Sequence, residues 1–322
     1  MSAGDFLCKD AATPLCEHYT AAGAVCSLST NWEPILEAAR HSFLPIETAP
    51  VSVDLSVRFW VDHANSTQPP WPKPYVRGLD HLVFAGFDSG SSMLADLRTR
   101  RVIGRFSGGI AADQSYWKTV VFPILLTIVG ASVGVAELHC SCVSKKQNGL
   151  LLVGPGRSGK STLALALAQA GFGFLSDDRT FCSWRKGELL AWGLATTLKL
   201  RSDAGEYFEE LQGRQPTDFQ NGEPSFRLAP ELGLGIERVR RCEPRMLVFL
   251  ERSETPGFYL TRMSSVEAAA RLEEDLVAEP PEAAAQQMEL IGQLAERPCR
   301  LLRYGGLPQG VAKQLAMHFE RL

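Results

Sequence analysis

Gly149-Leu150-Leu151-Leu152-Val153-Gly154-Pro155-Gly156-Arg157-Ser158-Gly159-Lys160-Ser161-Thr162 is the stretch on which the reading of this chain turns. A short apolar run ends in a glycine-rich turn, and an apolar segment of helical character, residues 163–170, follows it. Gly154, Gly159, Lys160 and Ser161 meet the spacing G-x-x-x-x-G-K-[ST], the pattern of a loop that cradles phosphate. Glycines let backbone N–H groups close around phosphate oxygens, and the N-terminus of the next helix adds positive potential. Lys160 is placed to reach the β- and γ-phosphates, and the Ser161 hydroxyl to hold Mg²⁺. Gly156, Arg157, Ser158 and Thr162 complete the stretch expected to wrap ATP. The competing reading is a glycine-rich helix entry with a solvated lysine.

Outward from the loop, β and α patterns alternate from residue 137 to the end. Residues 138–143 read as a strand turned back into the loop strand, and Gly171 as the stop of the loop helix. Residues 172–176 read as a strand delivering Asp177-Asp178, and 188–192, 196–200, 246–250 and 300–304 as further strands. Ser264-Ser265-Val266-Glu267 is a capping box opening a helix to about residue 277. Helices are expected at 283–296 and from Pro308. Such alternation predicts an α/β nucleotide-binding domain over 137–322, a sheet flanked by helices. Residues 212–228 are polar, rich in Gly and Pro, and carry little periodicity. They read as an irregular lid or binding loop bearing Arg214 and Arg227.

Residues 1–110 read as a β-rich module. Residues 51–57 alternate strictly, 81–87 and 92–98 flank the turn residues Asp88-Ser89-Gly90-Ser91, and 102–106 gives another strand. His18, His41, His63 and His81 are scattered and form no catalytic constellation. Residues 119–136 are uncharged, long enough to raise a membrane span, but Pro123, Gly130 and Gly134 interrupt them. A buried helix connecting the modules, within 111–136, is the expectation.

The bulk properties narrow the function. A chain of 322 residues with 45% apolar content describes one or two folded domains. A net charge of −3 and the lack of a dense basic block argue against nucleic acid as partner. The start carries no basic region followed by an apolar core, so no signal peptide is read. The eight cysteines include no C-x-x-C pair, which suggests neither zinc nor a redox motif and fits a reducing cytoplasm. Cys140 and Cys142 alternate as two small buried residues of a strand.

Asp177 and Asp178 leave a strand end just after the loop helix, where one carboxylate can bind Mg²⁺ and the other can take a proton from an attacking hydroxyl. The bland alternative is an acidic turn. His139 precedes the loop strand and is placed either beside the phosphates or in packing. Together these residues resemble the catalytic domain of the HPr kinase/phosphorylase family. That family reads His, then G-x-S-G-x-G-K-S, then a strand ending in Asp-Asp. Here His139, the loop from Gly154 to Ser161, and Asp177-Asp178 stand in that order, and Ala168-Gln169-Ala170-Gly171 with Phe174-Leu175-Ser176 looks similar too. The resemblance covers roughly residues 137–200. It implies that Lys160 and Ser161 bind the phosphates and Mg²⁺, that Asp177 is a metal-site acid, and that Asp178 is the general base supported by His139. The wider group includes lasso-peptide kinases, which phosphorylate a precursor-peptide serine and have a similar β-rich N-terminal part.

Gly156 and Arg157 stand where that family has Ser and Gly, and Thr162 replaces an acid. The second family signature, associated with phosphorolysis, is absent after Trp192. The expectation is therefore a cytoplasmic ATP- and Mg²⁺-dependent kinase acting on a serine of a peptide or small protein, with homo-oligomerisation left open. An ATPase switch using Glu251 after the apolar run 246–250, and a non-catalytic nucleotide binder, are the alternatives.

Overall fold

The computed structural model describes residues 12–63, 68–185, 187–194, 197–220, 223–228, 234–274, 276 and 281–321. The chain divides into two compact units, residues 1–135 with 279–284, and 136–278 with 285–322.

The first unit is built on an eight-stranded mixed sheet. Its middle strands Ala24–Thr30, Leu55–Asp62 and Arg101–Ser107 run parallel, and hairpins extend both edges. The strand foreseen at 51–57 starts only at Leu55. Before it, Val51 is fully exposed, and the Asp54 carboxylate takes the Val25 N–H at 2.9 Å that a ladder carbonyl would otherwise accept. Asp88 accepts from Gly90 N at 2.8 Å to close the expected hairpin turn. The apolar run from Trp117 is buried and helical but not uniform. A π-turn, Trp117–Val121, precedes the helix Phe122–Val129. Pro123 explains the irregularity, since it has no N–H to offer the preceding turn. Among the described residues no helix is long and apolar enough to cross a membrane.

In the second unit the loop strand, Asn148–Val153, runs parallel to the central strand Arg241–Arg252, which runs parallel to Cys299–Gly305. Leu150 and Leu152 face one side, packing with Leu163, Leu167, Val311 and Leu315 of the loop helix Lys160–Gln169 and the helix Pro308–Phe319. Leu151 and Val153 face the other, against Ala268, Leu272, Ile291 and Leu294 of two further helices. Burial on both faces is why the loop strand reads as a continuous apolar run. The loop helix ends as foreseen. Gly171 is left-handed, Phe172 N bonds Leu167 O at 3.1 Å and Gly171 N bonds Ala168 O at 3.0 Å, the paired closure of a Schellman motif. The architecture is mixed α/β with large sheets, consistent with a nucleotide-binding domain.

Two local expectations change. His139 does not lie within one strand, because Val135–Leu138 and Cys140–Lys145 are separate strands with His139 at the break. Residues 212–228 are not wholly irregular either. Glu223–Leu228 is the middle strand of a small antiparallel sheet with Leu198–Arg201 and Asp218–Gln220. Pro224 is tolerated because the pairing with Leu198–Arg201 begins only at Ser225.

Candidate functional site

The parallel strands end side by side, and the loop 154–159 crosses from one of them to the loop helix. Gly159 enters that helix with φ +89°, a backbone that favours glycine. Space demands glycine as well, since a Cβ there would lie 2.1 Å from the Tyr304 hydroxyl. That hydroxyl donates to Ser158 O at 2.7 Å, so a side chain two strands away holds the loop from beneath. Burial pushes the Tyr304 phenol up to about 12, which keeps it a donor at neutral pH. Arg157 is left-handed, with φ 69°, and turns its guanidinium outward to Glu223 at 2.9 Å. Ser158 is buried, and its hydroxyl has no partner among the described residues. An orphaned hydroxyl at the helix entry fits a phosphate oxygen. Above Gly156 there is open space.

Lys160 folds back into this loop. Its ammonium donates to Gly154 O at 2.6 Å and Pro155 O at 3.2 Å, and lies 3.2 Å from His139 Nε2. An ammonium has no lone pair to give, so Nε2 is the acceptor and the ring proton sits on Nδ1. His139 Nδ1 in turn lies 3.2 Å from Asp178 Oδ1. Lys160, His139 and Asp178 thus stand in line, a hydrogen bond joining the first two and a 3.2 Å contact the last two. The break between strands at residue 139 is what lets the imidazole reach both. Asp178 itself holds φ 67°, a strained backbone for a residue with a Cβ, of a kind that clusters at functional sites. Its side chain is half exposed.

Asp177 has the opposite surroundings. It is buried and accepts from Ser141 Oγ at 2.6 Å and from Lys199 N at 3.2 Å, with the Ser161 hydroxyl close enough to favour its charged form. Burial raises its pKa above the ordinary carboxylate value, against the pull of those hydrogen bonds. The two adjacent acids are thus sorted, one buried on Ser161 and one half exposed beside His139. Ser161 and Asp177 are the oxygen-bearing residues at the loop helix that would hold a hard cation such as Mg²⁺.

A cavity of about 710 Å³ brings together His139, Lys160, Ser161, Thr162 and Asp178 with Lys199 and Arg201. A second, of about 810 Å³, runs along the other flank of the loop from Gly154 to Ser158 and past Glu251 and Arg252. Glu251 is held by Arg303 at 2.8 Å and Arg271 at 3.5 Å, and the Arg303 guanidinium keeps its carboxyl below the usual range. A carboxylate so engaged is a poor candidate for activating water. All the residues singled out in the sequence around the loop meet here, except that Arg157 points to Glu223 rather than into the loop. Sequence reading missed Ser141, Tyr304 and Glu223. Ser141, flanked by Cys140 and Cys142, was the one with a readable signal, a polar residue inside an apolar strand.

No protein-family model and no curated protein matches the chain. Among solved structures, the HPr(Ser) kinase/phosphatase from Coxiella burnetii matches at 15% identity with a TM-score of 0.31, over 58% of this chain and 97% of its own. This is a distant structural relation.

Proposed function

We propose that the chain is a Mg-ATP-dependent phosphotransferase that moves the γ-phosphate to a hydroxyl, a serine of a peptide or small protein. The observation that carries the reading is the convergence at one loop mouth of the Lys160–His139–Asp178 chain with the Asp177–Ser161 pair. Loop amides and the Ser158 hydroxyl would grip phosphate oxygens, and Lys160 would leave its carbonyls for the terminal phosphates. Ser161 and Asp177 would hold Mg²⁺, which when bound spreads the charge of the phosphate oxygens. Asp178 Oδ1 lies 3.2 Å from His139 Nδ1, and the half-exposed carboxylate is left free to take the acceptor's proton. The His139 N–H orients the carboxylate and supports its charge before transfer.

Incubation of candidate peptides with γ-labelled ATP, followed by mass spectrometry, tests the reading. Asp178→Asn keeps shape but loses basicity, and should cost at least ~10²-fold in transfer with nucleotide still bound. Wild-type protein that releases phosphate to water alone, with Asp178→Asn silent, would refute it.

A further inference from the structure

A third cavity, of about 850 Å³, lies across the central strand from the phosphate loop. Its walls come from the carboxyl ends of Arg241–Arg252 and Cys299–Gly305 and from the neighbouring strand Gly257–Arg262. The carboxyl ends of parallel strands are where open α/β sheets bind ligands. Glu251 and Arg252 line both this cavity and the one along the loop flank, so the two adjoin. The cavity at Asp178 is charged, with Lys160, Lys199 and Arg201 in its walls. The third cavity offers rings and apolar surface instead, from Tyr259, Tyr304 and Leu301, with the Thr261 hydroxyl beside them. Two of its charges are already paired, since Arg303 bonds Glu251 at 2.8 Å.

Alternation places the outer ring. Phe258 and Leu260 pack against the core, so Tyr259 turns to the opposite face, where it is 68% exposed. Gly257 fixes how the ring lies. A Cβ at 257 would fall 2.8 Å from the Tyr259 ring, so the ring rests along its own strand over the glycine. The register then sets a row across the sheet. Tyr259 stands opposite Arg303, and Arg303 opposite Glu251. Phe249, two residues before Glu251, pairs with Val153 at the end of the loop strand, so the row begins beside the phosphate loop. Three strand spacings, about 14 Å, separate the loop strand from the strand of Tyr259.

We propose that this cavity seats the nucleoside of the phosphate donor, with the base stacked on Tyr259 and the sugar crossing the Arg303–Glu251 pair. The inference rests on the nucleotide reading of the phosphate loop and adds where the base is held. With the reacting phosphate at Asp178, the donor extends away from the charged cavity, past Arg252, into the aromatic one. The ring already lies in place over Gly257, so little ordering is lost on binding. Stacking reads the face of a base rather than its edge, and so tolerates different bases.

Calorimetry with Mg-ATP, Mg-GTP and Mg-tripolyphosphate tests the site, the last carrying phosphates and no nucleoside. Wild-type protein should bind ATP and GTP within about threefold of each other. Tyr259→Ala should lower the affinity for both by about tenfold and leave tripolyphosphate affinity within about twofold. Tyr259→Phe keeps the ring and should keep the affinity. Gly257→Ala keeps Tyr259 but pushes its ring from its seat, and should weaken ATP binding in the same selective way. Unchanged tripolyphosphate binding shows in each variant that the loop is folded. ATP affinity unchanged in Tyr259→Ala overturns the proposal and leaves the phosphate loop standing. A loss of tripolyphosphate affinity equal to that of ATP also overturns it, since Tyr259 would then support the loop and not the base. A tenfold preference between ATP and GTP that survives Tyr259→Ala places the base elsewhere and overturns it as well. Wild-type protein that binds none of the three refutes the nucleotide reading and this site with it. ATP bound through Tyr259 with no phosphate transferred supports the site and refutes only the kinase reading.

Discussion

Gly159 and Tyr304 form a pair whose energetics can be worked from the structure. Tyr304→Phe removes the hydroxyl that donates to Ser158 O at 2.7 Å. A lost buried hydrogen bond with its acceptor left dry should cost about 1–3 kcal/mol. Gly159→Ala places a methyl 2.1 Å from that hydroxyl on a backbone with φ +89°. The left-handed backbone alone costs about 1–2 kcal/mol, and the overpacking about 1–3 kcal/mol more. In the double variant the phenyl carbon that bore the hydroxyl lies 3.4 Å from the new methyl, an ordinary contact. The overpacking then disappears and the backbone strain remains. The double variant should therefore be more stable than the sum of the singles by about 1–3 kcal/mol. Amide exchange at residues 150–153, read under urea, reports the opening of this unit by itself. Additivity within about 0.5 kcal/mol would refute the claim that Tyr304 and Gly159 are locked together. Mg-ATP affinity should fall in Tyr304→Phe by no more than about tenfold, because the hydroxyl shapes the loop and touches no phosphate.

Three further outcomes are expected. Lys160→Ala should weaken Mg-ATP binding by roughly ten- to a hundredfold, and unchanged affinity by calorimetry in the folded variant would remove the phosphate-loop assignment. Glu251→Gln should leave both ATP turnover and transfer within about twofold, since its carboxylate is engaged by arginines; a variant that traps ATP would restore the hydrolytic reading. Asp177 carries a folded pKa above its ordinary value of 3.8, so the folded state takes up its proton first as pH falls. The sign follows: its ionisation removes stability as pH rises from the unfolded value through the folded one. Asp177→Asn should then be at least as stable as wild type at neutral pH without ligand, and should lose the extra thermal stabilisation given by Mg-ATP. A melting series with and without Mg-ATP across pH 4–7 checks both halves, and wild type should lose its Mg-ATP stabilisation at a higher pH than an ordinary aspartate would allow.

The phosphate loop was legible because its chemistry is local. Glycines, lysine and serine at fixed spacing between an apolar strand and an apolar helix leave few other structures. The stop at Gly171 and the cap at Ser264 were legible for the same reason, each resting on one turn of backbone; Glu267 N bonds Ser264 Oγ at 3.2 Å. Contacts between distant strands were not legible. Nothing local to residue 304 says that its hydroxyl meets residue 158, nor does residue 223 announce Arg157 and Arg201. The strand read at 51–57 shows the reverse failure, since the alternation runs back to an exposed Val51 while pairing begins only at Leu55. Residues 212–228 failed through their proline, which suggests irregularity from composition but sits where one edge of the small sheet is still unpaired.

The hold of Tyr304 on the phosphate loop spans 146 residues of sequence. The loop strand must also wait for its parallel partner, which pairs Leu150 with Met246. Contacts of such separation form late, because loop closure must precede any gain from them. At roughly 5–20 residues per second, a ribosome takes about 7–30 s to make that span. Through that interval the glycine-rich loop exists as sequence without its support. A nascent chain halted before residue 304 should retain little nucleotide, although every residue of the phosphate-loop motif has already been made.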